Sequence, residues 1–268
     1  MKRRPVVAGR FYPGSKSQWE PEVSQYLEGA QAADKDPLVC MLPHAGYVFS
    51  GRVAGQTLSD VRIPDTALLL GPNHTGRGDP LAVWSEGSWE IPGAELPVDQ
   101  DLAQAVLEAH PSLQKDFSAH EQEHSLEVLL PFLWVKNPKV RIVPICVSAT
   151  DLELLIGVGH SLARVCAERS EPVSVLVSSD MSHFISGREA KIQDDKAIQA
   201  ILNLDPRGLF QTVRNHNISM CGVLPMTLGL ALALERGASR AELVQYANSG
   251  DVTGDQQQVV GYAGMRIF

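Results

Sequence analysis

The chain has 268 residues, of which 44% are hydrophobic, enough for one large core or two modest ones. Its 31 acidic and 23 basic residues give a formal net charge of -8, which opposes binding to nucleic acid phosphates or anionic lipid. Because we also find neither a secretory signal nor a stretch long enough to span a bilayer, we expect a cytoplasmic protein. The expected partner is a small molecule or a peptide, not nucleic acid or a membrane.

Apolar runs rich in valine, isoleucine and leucine alternate along the chain with helical patterns. Several of these runs lack period-two alternation, which is typical of strands buried on both faces. The alternation predicts a single α/β domain over residues 1–268: an α/β/α sandwich around a mixed, largely parallel sheet. In chain order we predict a helix at 18–28, a strand at 38–42, a helix at 51–61, strands at 67–70 and 81–84, helices at 100–109 and 125–135, a strand at 140–147, a helix at 152–168, a strand at 173–177, and helices at 190–202 and 222–236.

Residues between and after these elements refine the prediction. Asp99 and Asp151 are each placed to cap the helix that follows. The glycines and prolines of 86–97 indicate a hairpin or a long loop. The segment 259–268 predicts a closing strand that runs antiparallel to the others.

The four cysteines are far apart and form no C-x-x-C pair, so the patterns of a zinc ribbon and of a thioredoxin are absent. Cys40, Cys146 and Cys166 lie inside apolar runs and are expected to be core residues. Cys221 instead opens the most apolar helix, where the helix dipole favours a thiolate. A thiolate is both a nucleophile and a soft metal ligand, although a buried packing cysteine is an equal alternative from this segment alone.

His44 and His74 each follow a predicted strand within a turn rich in proline and glycine. Ligands of open α/β sheets bind outside the carboxyl ends of the strands, so both imidazoles are expected to face one crevice. Neutral imidazole is the commonest metal ligand, and a repeated context favours a metal or acid/base site over a purely structural role.

Polar residues also follow the strand at 173–177, ending in Asp180 and His183. The carboxylate could orient or charge the imidazole for general acid/base work. A helix N-terminus capped by Asp180 is the alternative.

His124 lies between Glu123 and Glu127 at the start of a predicted helix. The two carboxylates could support a proton relay. Alternatively, they form an acidic first turn that the helix dipole stabilises.

Four further histidines, His110, His120, His160 and His216, lack such contexts and are expected at the surface or at helix ends. The Gly/Asp-rich segment 248–255 does not have the spacing of an EF-hand and indicates a loop rich in turns. The patterns of dinucleotide binding, of phosphate-binding loops and of α/β-hydrolases are absent from the sequence.

An ordered set of motifs over nearly the whole chain resembles the Memo family. The motifs run from Arg10-Phe11-Tyr12-Pro13 to Gly261-Tyr262-Ala263 and include Pro43-His44-Ala45-Gly46-Tyr47, Gly71-Pro72-Asn73-His74, Glu123-His124-Ser125-Leu126-Glu127, Ser179-Asp180-Met181-Ser182-His183, Cys221-Gly222 and Ser249-Gly250-Asp251. That family is similar in fold to the class III extradiol dioxygenases.

The resemblance implies that His44, His74 and Cys221 are metal ligands. It also implies that His183 is an acid/base residue, that His124 is a second active-site histidine, and that Asp180 lines the same pocket. The implied donors are two histidines and a cysteine, not the two histidines and carboxylate of iron oxygenases. The implied cofactor is therefore iron or copper, with zinc as the alternative.

Three functions follow from this resemblance. The first is a metal-dependent, dioxygenase-like oxidoreductase of unknown substrate. The second is a non-catalytic module that binds a peptide or protein and acts with a radical-SAM protein and an AMMECR-type companion, whose genes accompany those of the family in prokaryotes. The third is a zinc-dependent hydrolase with His183 or Asp180 as base.

Overall fold

A computed structural model describes residues 1–29 and 36–268. Within these residues, nine strands form one mixed sheet and three short strands form a second. The strands are β1 (Lys2–Arg3), β2 (Val39–Leu42), β3 (Thr66–Pro72), β4 (Leu81–Val83), β5 (Ser88–Ile91), β6 (Ala94–Pro97), β7 (Gln114–Lys115), β8 (Arg141–Val147), β9 (Ser174–Ser178), β10 (His183–Ile185), β11 (Ala241–Asn248) and β12 (Val259–Ile267).

The centre of the large sheet is parallel. Strands β2, β9, β3 and β8 are neighbours in that order and run in the same direction. β12 then pairs antiparallel with β2, as predicted for the C-terminal segment, and carries β10 and β11. β4 pairs antiparallel with β8 at the other side. Every residue of β2 and β3 is buried, which explains their continuous apolar runs.

Helices cover both faces of the sheet. Val39 of β2 lies against Gly229 of one helix. The next residue of β2, Cys40, pairs with Arg266 of β12, and Arg266 donates a hydrogen bond to the Thr57 carbonyl of another helix. Because successive strand residues point to opposite faces, the helices of Gly229 and Thr57 lie on opposite sides, which confirms the predicted α/β/α sandwich. The helices are α1 (Lys16–Tyr26), α2 (Tyr47–Leu58), α3 (Gln100–Ala109), α4 (Leu130–Lys136), α5 (Leu152–Glu168), α6 (Gly187–Leu202), α7 (Pro206–Asn215), α8 (Val223–Glu235) and α9 (Gly250–Thr253). Among the described residues, none of these helices combines the length and the apolar composition needed to cross a membrane.

The predicted elements are all present, with shifted ends in places. Asp99 and Asp151 cap α3 and α5 through their side chains, and 86–97 forms the hairpin β5–β6. The helix predicted at 125–135 begins instead with a 3₁₀ turn at Glu127–Leu129. Helix α7 and strand β11 were not predicted, nor were the short elements β1, β7, β10 and α9. Asp205 caps α7 and Pro206 opens it, so a local signal was present, whereas β11 is half-buried throughout and lacks an apolar run.

The prediction for His120 was wrong, because this residue is fully buried. Its ring lies edge-on between Trp84 and Trp89, and its Nε2 lies 3.0 Å from the Ala82 carbonyl oxygen. Burial, opposed by that hydrogen bond, lowers the pKa of His120 to about 4. The aromatic surroundings are set by contacts between distant segments, which a local pattern does not contain. Cys40, Cys146 and Cys166 are buried, as predicted.

A buried ion pair joins the N-terminal segment to the turn that begins at Glu127. Arg3 Nη1 lies 2.8 Å from Glu127 Oε2, and both side chains are buried. The carboxylate also accepts the backbone N–H groups of Val6 and Val7 and the hydroxyl of Tyr12. All of these contacts satisfy a charge that would otherwise be costly to bury. Glu127 therefore anchors the N-terminus, and these contacts disfavour the proton-relay alternative for its carboxylate.

The Arg3 guanidinium has equally complete contacts. It donates hydrogen bonds to the carbonyls of His120 and Glu123 and stacks 4.1 Å from the centre of the Trp89 ring. Arg3 thus holds the backbone on both sides of residues 121–122 as well as the Glu127 carboxylate.

Replacing Glu127 with glutamine should lower the free energy of unfolding by about 3–5 kcal/mol, because the Arg3 charge stays buried without its counter-charge. Urea denaturation measures this change. Asp195→Asn, which breaks the exposed Lys191–Asp195 pair, is the control and should cost far less. Equal, small losses in the two variants would contradict the anchoring role of the ion pair.

The low pKa of His120 predicts a loss of stability in acid. The unfolded chain takes up the proton near the ordinary pKa of 6.5, whereas the folded protein does so near 4. The contribution of His120 is therefore complete above about pH 6.5 and is lost as the pH falls toward 4. Between these two pH values, the slope of the unfolding free energy against pH should be smaller in His120→Gln than in the parent protein. The difference in slope should correspond to about one bound proton. Parallel curves for the two proteins would refute the assignment.

Candidate metal centre

The parallel strands deliver four of the predicted site residues to one edge of the sheet. His44 follows β2, His74 follows β3, and Asp180 and His183 follow β9. In register, Leu42 pairs with Ser178 and Leu70 with Val177, so the strands end at similar levels. Cys221 reaches the same edge from the residue pair before α8.

His44, His74 and Cys221 form a compact group of ligand atoms. One atom from each residue lies within 4.8 Å of the other two. The Nε2 of His44 is 3.4 Å from Sγ of Cys221, and the two imidazole rings are 5.3 Å apart between centroids. Two imidazole nitrogens and one sulfur are a suitable donor set for a transition-metal ion.

A buried serine holds the ring of His44. Nδ1 of His44 lies 2.7 Å from Oγ of Ser178, whose hydroxyl donates to the Ser125 carbonyl at 2.7 Å. Burial and the neighbouring His74 lower the pKa of His44 to about 3. The ring is therefore neutral at physiological pH, as a metal ligand must be.

His74 is held by a carboxylate instead. Its Nδ1 lies 2.9 Å from Oε1 of Glu123, and its backbone N–H donates to Oε2 of the same carboxylate. Burial lowers the pKa of His74, but the hydrogen bond and charge of Glu123 outweigh burial and raise it overall. Burial likewise opposes ionisation of Glu123, yet the hydrogen bond from His74 brings its pKa down to about 2. A carboxylate on the far side of a ligand histidine is a common device that fixes ring orientation.

His124 lies beside both rings. It stacks on His74 at 4.8 Å between centroids and meets His44 edge-on at 5.5 Å. Burial, together with the nearby His44, lowers its pKa to about 4. His74, Glu123 and His124 also form a group with ligand spacing. Oε1 of Glu123 already accepts backbone N–H bonds from His124 and Ser125, so we favour the cysteine-containing group as the metal centre.

Hydrogen bonds with residues 179 and 180 position Cys221 and the glycine that follows it. Its sulfur accepts the Asp180 N–H at 3.2 Å, and the next residue, Gly222, donates to Oγ of Ser179 at 3.1 Å. Burial and then the charge of Asp180 raise the pKa of the Cys221 thiol well above its usual value. The thiolate that the helix start suggested is therefore disfavoured in the metal-free protein, because burial and the charge of Asp180 oppose ionisation of the thiol.

Asp180 and His183 each form hydrogen bonds with other residues. Oδ1 of Asp180 accepts the His44 N–H at 2.8 Å, and Oδ2 lies 3.9 Å from Nε2 of His44. The His183 ring is held by Ser219, whose carbonyl lies 2.9 Å from Nδ1. Donation to that carbonyl leaves Nε2 of His183 as the basic atom. Burial raises the pKa of Asp180, against the opposing hydrogen bond from His44.

A cavity of about 570 Å³ opens beside these groups. His124, Asp180 and His183 are among its polar lining residues. Its walls are largely apolar and include Phe11, Phe49, Phe184, Val260 and Tyr262. Phe184 is 72% exposed and has a positive φ of 60°, an uncommon backbone conformation outside glycine. A mostly apolar cleft with a few convergent polar groups is typical of a small-molecule site.

Ser178, Ser125 and Ser219 are supporting residues that sequence reasoning missed. For Ser178 the available signal was weak, because a serine at the end of an apolar strand is equally compatible with an ordinary turn. Ser125 and Ser219 do not follow a strand and lacked even that signal. Glu123 was singled out, but beside His124, whereas its main partner is His74.

The same arrangement of sheet and helices occurs in a solved structure. The crystal structure of an uncharacterized protein from Escherichia coli K12 matches with a TM-score of 0.57, covering 87% of this chain and 100% of that chain at 11% identity. This likeness establishes a shared α/β fold.

Sequence comparisons identify the family. A family model described as "Memo-like protein" matches residues 3–266. A MEMO1 family protein of Methanosarcina barkeri is 40% identical over 99% of this chain and 99% of its own length, and one of Aquifex aeolicus is 39% identical over 98% of each. The chain therefore belongs to the Memo family, as its motifs indicated.

Gly222→Ala should disturb the centre without touching a ligand. A Cβ at this position would clash with Cβ of Ser179 and lie 2.5 Å from the carbonyl oxygen of Ser178, so the start of α8 must move. We expect a crystal structure to show the Cys221–His44 pair separated beyond 3.4 Å, and a loss of stability in urea. Gly157→Ala in α5, where no atom lies within 4 Å of the added Cβ, is the control and should be neutral or stabilising. An unmoved Cys221 in Gly222→Ala would contradict the tight packing of α8 against Ser178 and Ser179.

Proposed function

We propose that this Memo-family protein binds one transition-metal ion through Nε2 of His44, Nε2 of His74 and Sγ of Cys221, and that it is a dioxygenase-like oxidoreductase. The observation that carries the proposal is the grouping of the three ligand atoms within 4.8 Å of one another. Further support comes from the hydrogen bonds of the two rings. Ser178 bonds to Nδ1 of His44 and Glu123 bonds to Nδ1 of His74, which leaves Nε2 of each ring for the ion.

The donor set favours iron or copper over hard cations, because a thiolate and imidazoles suit softer metals. When bound, the ion supplies redox or Lewis-acid chemistry. A substrate in the 570 Å³ cavity would meet His183, whose Nε2 takes or returns a proton. His124 and Asp180 border the same space and would orient the substrate.

Variants should separate metal binding from turnover. His44→Ala and His74→Ala remove ligands and should abolish stoichiometric metal in protein loaded anaerobically under reducing conditions. His183→Ala should retain the metal and lose oxygen uptake, because it removes only the acid/base group. Metal analysis and an oxygen electrode provide the two measurements.

His160→Ala, a half-buried helix residue away from the centre, is the matched control and should behave as the parent. Full metal content in His44→Ala would contradict the ligand assignment. A His183→Ala variant as active as the parent would refute the acid/base role. Zinc as the sole retained metal, with no oxygen uptake, would favour a zinc-dependent hydrolase with the same ligands.

The second candidate is a non-catalytic module that binds a peptide or protein partner, such as the radical-SAM protein or its AMMECR-type companion. It is favoured by the exposed Phe184 at the mouth of an open, largely apolar cavity. Stoichiometric binding of such a partner by protein that retains no metal under anaerobic, reducing purification would support this candidate over the first.

A further inference from the structure

Hydrogen bonds connect the Ser125 carbonyl to the Asp180 backbone through two of the proposed ligands. The Ser178 hydroxyl lies 2.7 Å from the Ser125 carbonyl oxygen and 2.7 Å from Nδ1 of His44. Nε2 of His44 lies 3.4 Å from Sγ of Cys221, which accepts the Asp180 N–H at 3.2 Å.

The Ser125 carbonyl determines the direction of the hydrogen bonds as far as His44. A carbonyl oxygen can only accept, so the single hydroxyl hydrogen of Ser178 is directed at Ser125. The Ser178 oxygen must then accept from His44, which places the ring proton on Nδ1. Nε2 of His44 is left with a free lone pair directed at Cys221, whose thiol can donate its proton to this nitrogen at 3.4 Å or to the Asp180 carbonyl at 3.6 Å.

We propose that Ser178 is a positioning residue that holds His44 in the Nδ1–H tautomer, so that its bare Nε2 faces the metal position. The effect on metal binding rests on the proposed metal centre, whereas the tautomer of His44 is a property of the metal-free chain.

The opposite arrangement is unfavourable on the same contacts. If Ser178 donated to Nδ1 of His44, the buried Ser125 carbonyl would lose the donor that the structure provides. A buried acceptor without a partner is unfavourable. The ring proton would then lie on Nε2, the atom that the metal requires.

The two ligand histidines are thus held in the same tautomer by different means. Glu123 holds His74 with a negative charge, whereas Ser178 holds His44 with a neutral hydroxyl. With a neutral support, the protein orients a second histidine without adding another carboxylate near Cys221 and the buried Asp180.

Ser178→Ala tests the proposal with two measurements. Nitrogen chemical shifts of 15N-histidine-labelled, metal-free protein report the tautomer of His44, and competition with a chromophoric chelator reports metal affinity. We expect the variant to lose the exclusive Nδ1–H tautomer and to bind metal about 10–100-fold more weakly, the usual effect of removing such a support. Ser178→Thr retains the hydroxyl and should restore both properties.

Ser88→Ala is the matched control, because it removes a buried serine hydroxyl, bonded to the Glu95 carboxylate, on the separate three-stranded sheet. It should leave the His44 tautomer unchanged. Parental tautomer and parental affinity in Ser178→Ala would overturn the proposal. If that variant fails to fold, the parent protein alone decides: an Nε2–H tautomer of His44 would overturn it. Absence of metal binding in the parent, with His44 in the Nδ1–H tautomer, would refute the metal centre and leave the positioning role intact.

Discussion

The parallel pairing of β2, β9 and β3 is the constraint on which the candidate site depends. Three neighbouring strands that run in one direction end at one edge, and each is followed by a residue or pair of residues that can do chemistry. Parallel strands require a crossover connection, so the intervening chain returns over the faces as helices. One sheet therefore fixes both the layered architecture and the meeting of His44, His74 and Asp180, which lie far apart in sequence.

A second constraint is the placement of the segment around Glu123. Arg3 binds the Glu123 carbonyl and the Glu127 carboxylate, so the buried ion pair holds the backbone on both sides of His124. The same segment supplies the Glu123 carboxylate, which bonds to His74, and the Ser125 carbonyl, which accepts the hydroxyl of Ser178. The N-terminal residues thus contribute to the geometry of a site that they do not enter.

Local patterns in the sequence were sufficient for the central strands of the large sheet, most helices and the histidines at strand ends, because apolar periodicity and turn residues act over a few positions. The partners of those histidines could not be predicted in this way. Ser178 and His44 are 134 positions apart, and Glu123 and His74 are 49 apart. The burial of His120 between two tryptophans has the same origin. Cys221 was placed near the site by family resemblance, since its own segment was equally compatible with simple packing.

The most direct test of the metal centre is a crystal structure of protein loaded anaerobically with iron or copper, with an anomalous difference map calculated at the absorption edge of the metal. We predict one full peak within coordinating distance of Nε2 of His44, Nε2 of His74 and Sγ of Cys221, with His44 still bonded to Ser178. A peak held instead by His74, Glu123 and His124, or no peak at this edge of the sheet, would contradict the proposed ligand set.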